Sequence, residues 1–280
     1  MKQILYIFTL ILLSTAYCQG QAESPLDLVK IIFAKDSFPD LEKHITGEYN
    51  GHPNGTDLPT NVKTDFLLLG QNEKKAVINL TITDSLGHQF DTYLHLKKED
   101  VWKVTAFRAL AMTGMIEEIH QELKSMTKSQ IDTIIELSKN DTLGYSMFKS
   151  YEDYKYELGK TGLIIASDHE LISHFKKNKS DFDSIKNSIL LEIDPLNINQ
   201  EREIRVGENL KTNYKSVFIS SITIGGFQFD NALNFVIGGM LDNTVGYIFL
   251  LKKEDVPLMN PSRIIMIREI ADGWYLYKTT

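Results

Sequence analysis

The sequence predicts an α+β fold of two domains, each a helix packed on a curled antiparallel sheet, with a helical connector between them. Three observations carry that expectation. Apolar and polar residues alternate with a two-residue period through consecutive segments between Lys75 and Phe107. A helical period takes over at Met112 and persists, with interruptions, to Ile189. Strand patterning then returns from Ser216 to Lys278, so helices precede strands in both halves rather than alternating with them.

The first helix is expected from Ser24-Pro25-Leu26-Asp27: serine caps, proline takes the first helical position, and an acidic residue stands three beyond the cap. Leu26, Val29, Ile32 and Phe33 form its apolar face. A short helix from Pro39 turns Leu41 and Ile45 inward, and the Gly, Pro and Asn residues between 47 and 60 impose a loop. The sheet starts at Asp65 to Leu69. In the next strand Ala76, Ile78, Leu80 and Ile82 share one face and Asn79, Thr81 and Thr83 the other. Asp84-Ser85-Leu86-Gly87 supplies a hairpin turn, after which Phe90, Leu94 and Leu96 lie together. The charged turn Lys97-Lys98-Glu99-Asp100 leads into a strand where Trp102, Val104 and Ala106 oppose Val101, Lys103 and Thr105.

Met115, Ile116, Ile119 and Leu123 begin the helical stretch, and Thr127-Lys128-Ser129-Gln130 restarts it with Ile131, Ile134 and Ile135. A helix is expected from Ser150 to Leu158 and another from Ser167 or Asp168. The latter carries Leu171, Ile172, Phe175, Phe182, Ile185 and Ile189, with a re-cap at Asn178 to Ser180. Asp194 to Gln200 reads as loop. Strands follow at Ser216 to Ile224, Ala232 to Met240, Gly246 to Leu251, Arg263 to Ile270 and Trp274 to Lys278. The pentapeptide Leu96 to Asp100 recurs as Leu251 to Asp255, which together with the shared element order raises duplication as a possibility. The expected boundaries are 1–18 for a leader, 24–110 for the first domain, 111–160 for the connector and 161–280 for the second domain.

Lys2, the apolar run Ile4 to Leu13 and the small and polar Ser14, Thr15 and Ala16 have the order of a secretory signal peptide. That run is too short to span a bilayer, which takes about 20 apolar residues, and no later segment approaches it. The chain is therefore expected to be exported, periplasmic or secreted, with no transmembrane helix after cleavage. Cleavage before Gln19 is favoured over acylation of Cys18, because Tyr17 stands where a lipobox wants a small residue. Cys18 is the only cysteine, so stability must come from packing rather than disulfides, and 42% hydrophobic residues over 280 allow it. A net charge of −7 without a basic run argues against nucleic acid as a partner.

Residues 24–107 resemble the nuclear transport factor 2-like (cystatin-like) superfamily. The likeness rests on the helix Pro25 to Phe33, the strand Ala76 to Thr83, the Gly87 turn, the strand Phe90 to Leu96 ending in Lys97-Lys98-Glu99, and Trp102-Lys103-Val104. Residues 168–280 are similar to small uncharacterised exported bacterial proteins, in which a helix like Leu171 to Phe182 precedes a sheet closing on Gly273-Trp274-Tyr275-Leu276-Tyr277. The resemblance implies a helix on a curled sheet. Enzymes of the superfamily place acids and bases inside the cone of that sheet, but none of their motifs matches here residue by residue, so no activity is implied.

Asp91, Tyr93 and His95 share a facing on one strand: a carboxylate, a phenol and an imidazole in line, adequate for proton transfer if the face is concave. Their neighbours Phe90, Leu94 and Leu96 claim the helix-covered face, so the trio is expected toward solvent or the other domain, with a solvated strand face preferred. His169 and His174 evoke a zinc-binding helix, but their five-residue spacing makes the rings diverge by roughly 140°, against the four-residue spacing such a site needs. Gly225-Gly226 and Gly238-Gly239 lie in strand-like segments and read as bulges or bends rather than phosphate loops. Trp274 reads as a core anchor with Tyr275 and Tyr277 as rim residues.

No cofactor or metal site is implied. The expected role is a non-enzymatic binding or assembly module of the cell envelope, holding a small apolar ligand, a peptide or an envelope protein. One alternative is an isomerase or hydrolase with His95 and Asp91 as acid and base. Another is a secreted inhibitor or immunity protein, which calls for an exposed tyrosine-rich patch around Tyr145 to Tyr156.

Overall fold

The computed structural model describes residues 24–192, 202–203, 214–225, 229 and 231–280. The leader with Cys18, the loop Asp194 to Gln200 and Gly226 lie outside the described residues. The fold is α+β, built on two antiparallel sheets with helices packed against both. Among the described residues no helix is long and apolar enough to cross a membrane.

Helix α1 (Pro25–Ile32) starts as its sequence dictates: Ser24 Oγ accepts the Asp27 N–H at 3.1 Å and Pro25 takes the first turn. Strands β1 (Lys63–Gln71), β2 (Lys75–Thr83), β3 (Gln89–Lys98) and β4 (Trp102–Arg108) form a meander in chain order. Leu28, Val29 and Ile32 of α1 meet Ala76, Ile78, Leu80, Leu94, Leu96 and Val104 in one buried cluster, with Leu41 and Ile45 beside the 3₁₀ turn Leu41–His44. The hairpin after β2 closes through the Gly87 N–H to Asp84 C=O bond, with Gly87 at φ 90° as its turn requires.

Two details depart from simple alternation. Phe90, at the start of β3, is exposed, although its ladder partner Ile82 still packs against the α1 cluster. A bulge in β4 opposite His95 and Leu96 pairs Leu96 with Val104 but His95 with Ala106. Ala106 therefore moves to the face opposite α1, and Phe107 takes the helix side, its ring 6.2 Å from Phe33. The offset residue, Thr105, gives its carbonyl to the Glu48 and Tyr49 N–H groups and its hydroxyl to the His95 carbonyl.

Helices α2 (Thr113–Ser125), α3 (Lys128–Ser138) and α4 (Tyr151–Ile164) follow, with Leu123, Ile131, Phe148 and Tyr154 forming a small core of their own. Ser150 caps α4 as expected, but the helix runs on to Ile164 instead of ending at Leu158. Its interior glycines are weak helix formers retained for space: a Cβ on Gly159 would lie 2.2 Å from Phe218 Cε1.

Helices α5 (Asp168–Lys177) and α6 (Lys179–Glu192) cover one face of the second sheet. This sheet comprises β5 (Arg202–Glu203), β6 (Ser221–Ile224), β7 (Ala232–Met240), β8 (Asn243–Leu250), β9 (Ile264–Ala271) and β10 (Trp274–Thr279), in the order β5-β6-β7-β8-β10-β9. Phe175 and Phe182 pack against Trp274 with ring centroids 5.1 and 5.8 Å away. The opposite face corrects one expectation. Tyr275 and Tyr277 are buried rather than at a rim, since the Val256 to Met259 loop and Phe229 form a third layer over them. Gly238, at φ 155°, sits at the β7 bulge foreseen for it. The repeated pentapeptide is not a repeated structure: Leu96 to Lys98 lies in β3, whereas Leu251 to Asp255 leaves β8 through a 3₁₀ turn.

Candidate functional site

Asp91, Tyr93 and His95 do share a face, but that face is buried, which corrects the expectation of a solvated strand. The second sheet and its helices cover it. Val77 and Tyr93 of the first sheet belong to the same apolar cluster as Leu171, Phe175, Tyr247 and Leu276, so the two halves meet in one continuous core.

Within that contact lies a polar network. Tyr93 Oη donates to Asp168 Oδ1 at 2.8 Å, and Lys278 Nζ reaches the same oxygen at 2.8 Å with both partners buried. The ammonium also stands 5.7 Å from the Tyr93 ring centroid. Asp91 Oδ2 accepts the backbone N–H of Asp168 at 2.7 Å, while its Oδ1 accepts from Thr81 Oγ1 and from Asn79 Nδ2. Asp168 opens α5 behind the Ser167 N-cap, so its N–H is one of the donors a helix start leaves unpaired. Asp91 thus caps, from the other half of the molecule, a helix whose dipole favours an anion there.

These surroundings decide what the trio can do. Burial pushes the Tyr93 phenol well above its usual range, and the Asp168 and Asp91 charges push the same way, so it stays protonated as a donor. His95 is lowered to about 4, first by burial, then by the Arg108 charge, with a smaller push from Lys75 and an opposing bond to the Ile265 backbone. It is a neutral imidazole whose Nε2 has no hydrogen-bond partner among the described residues. Asp91 and His95 are four residues apart on an extended strand, about 13 Å, too far to work as an acid and base pair. Both Asp91 oxygens are already occupied. The geometry joins Asp91 and Tyr93, without His95, into a lock between the halves, not a proton relay.

The other candidates separate as well. His169 is exposed, whereas His174 donates through Nε2 to the Val217 carbonyl at 3.2 Å and packs beside Phe182 and Phe218. The two rings do not converge. Leu143, Tyr145, Met147 and Tyr151 are exposed, whereas Tyr154 is buried and bonded to the Leu123 carbonyl.

Next to the lock, between edge strands β1 and β9, opens a cleft of ≈ 640 Å³. Leu69, Val77, Ile267 and Tyr275 wall it, the Val256 to Met259 loop closes one side, and Gln71, Asn72, Lys75, Lys253, Arg268 and Glu269 supply its polar groups. None of Asp91, Tyr93 and His95 lines it. Pattern reading missed this site because its walls come from elements distant in sequence. Asp168 and Lys278 were missed too, although Lys278 did leave a trace: it continues the face of Trp274 and Leu276, an inward lysine on an otherwise apolar stripe.

No family model, curated protein or solved structure matches this chain.

Proposed function

We propose that the chain is an exported, non-enzymatic binding module of the cell envelope, built on a nuclear transport factor 2-like first domain, and that its ligand occupies the cleft between β1 and β9. One observation carries the reading: the ≈ 640 Å³ cleft is largely apolar, rimmed by a few polar groups, and sits where two halves meet. Asp91 and Tyr93 favour it over the isomerase or hydrolase alternative, since their hydrogen bonds are made within the protein and His95 stands about 13 Å along the strand from Asp91. The test uses a neutral solvatochromic dye, N-phenyl-1-naphthylamine, with the whole chain. Leu69, half-buried at the wall, is replaced by tryptophan to fill the space. Saturable one-site binding that L69W abolishes is the expected result. Absence of binding, or equal binding by the filled variant, rules the reading out.

A second reading, a secreted inhibitor, draws on Leu137, Leu143 and Tyr145, which are 67, 74 and 85% exposed in one short stretch of chain. Loss of a partner captured from envelope extract upon Tyr145→Ala is its test.

A further inference from the structure

The charge lining the cleft is opposite in sign to that of the chain. The protein carries −7 overall, yet Lys75, Lys253 and Arg268 are among the residues that line the cavity, against a single carboxylate, Glu269. Glu269 is already engaged: Lys253 Nζ lies 3.0 Å from its Oε2. Among the described residues neither Lys75 nor Arg268 has a salt-bridge partner. Arg268 is half-buried, pairing with Leu276 across the β9–β10 ladder, and its charge is felt by Tyr93 in the interdomain core. Lys75 begins β2 opposite Lys97, and its charge reaches His95. A guanidinium drawn partly out of water without a carboxylate gives up hydration and gains no counter-charge, and its planar fork matches a carboxylate's two oxygens.

Beside these charges and the amides of Gln71 and Asn72, the lining is hydrocarbon: Leu69, Val256 and Met259 with the Tyr275 ring. Met259 Cε would stand 3.0 Å from a Cβ on Gly70, so the loop side chain lies against the β1 bulge. A largely apolar cleft with two cations outside any salt bridge suits an apolar tail with one anionic head.

On this basis, and resting on the proposal that the cleft is a ligand site, we infer that the ligand is a monomeric single-chain carboxylate amphiphile, its head held by Arg268 and Lys75 and its chain lying along Leu69, Val256 and Met259. A charge-assisted bond to such a head is worth roughly tenfold or more in affinity.

Dodecanoate, dodecanol and dodecyltrimethylammonium, each below its aggregation concentration, are titrated against the dye-loaded chain. Dodecanoate is expected to displace the dye at least tenfold more tightly than the alcohol, and the cation more weakly than either. R268Q and K75Q should each reduce the carboxylate's advantage several-fold while leaving the alcohol unchanged; exposed Lys75 keeps the test informative should R268Q fold poorly. Equal displacement by all three, or by none, overturns the carboxylate assignment while the dye-binding cleft stands. A chain that never binds the dye fails at the underlying proposal instead. Cosedimentation with anionic phospholipid vesicles that L69W leaves intact assigns the cations to a membrane surface and likewise overturns the assignment.

Discussion

Tyr93 on β3 donates its phenolic proton to Asp168 at the start of α5, 2.8 Å away and 75 residues later in the chain. Both groups are buried, so the bond works in a medium where an unpaired carboxylate is costly. Asp168 also receives Lys278 and gives its backbone N–H to Asp91, so a single residue of the second half holds two side chains of the first. Such a joint should make the two halves unfold together.

Tryptophan placement allows that coupling to be read directly. The chain has two, Trp102 in β4 and Trp274 in β10, one per sheet. Variants retaining only one tryptophan should report the same urea midpoint from either sheet. Asp91→Asn replaces an acceptor at the α5 N-terminus by an amide and should cost about 1–3 kcal/mol. It should also separate the two midpoints. Coincident transitions in that variant would mean that apolar contact alone couples the halves.

Lys278→Met tests the charge balance. Removing the ammonium leaves Asp168 buried with only the Tyr93 hydroxyl as neutral support, a change that typically costs about 3–5 kcal/mol. Asp168→Asn added to it removes the unpaired charge, and the double variant should be more stable than Lys278→Met alone. A double-mutant cycle on denaturation midpoints measures this, and strict additivity would show that the pair is not coupled.

The pH dependence has a definite sign at His95. Its folded value is near 4 against an ordinary value of 6.5, so between those limits the unfolded chain binds the proton more readily than the folded one. Stability contributed by the neutral imidazole is complete above pH 6.5, falls as the pH drops toward 4, and changes no further below it. The loss amounts to roughly 3 kcal/mol. His95→Gln cannot titrate, so its stability should decline less steeply than the wild type's between pH 6.5 and 4, as measured by urea denaturation at half-unit steps.

Most of this fold was legible because its elements carry strong local signals. The Ser24, Thr127, Ser150 and Ser167 caps announce their helices, and the period-two pattern of β2 and β3 fixes their facing. Legibility failed where a decision is tertiary. The β4 bulge re-aims Ala106 and Phe107 without altering their alternation in sequence. The faces bearing Asp91 and Tyr275 look half-polar along the chain, and only the second half and the Val256 to Met259 loop, respectively, make them interior. The cleft has no motif at all, since β1, β2, β9, β10 and one loop each supply a part.

Gly159 gives the sharpest contest between local preference and packing. In an exposed helix interior, Gly→Ala stabilises by about 1 kcal/mol. Here α4 carries Gly159 against the Phe218 ring, and an added Cβ would meet Cε1 at 2.2 Å and Cζ at 2.5 Å. The ring has little freedom to retreat, because Phe218 itself holds a left-handed φ of 60° and packs against His174 at 5.8 Å. Overpacking of this kind costs about 1–3 kcal/mol, so the clash outweighs the propensity gain and Gly159→Ala should lower the thermal midpoint. Phe218→Leu in the same chain opens the space, and Gly159→Ala in that background should then raise it. If the alanine destabilises equally in both backgrounds, the Phe218 ring is not what requires glycine at this position.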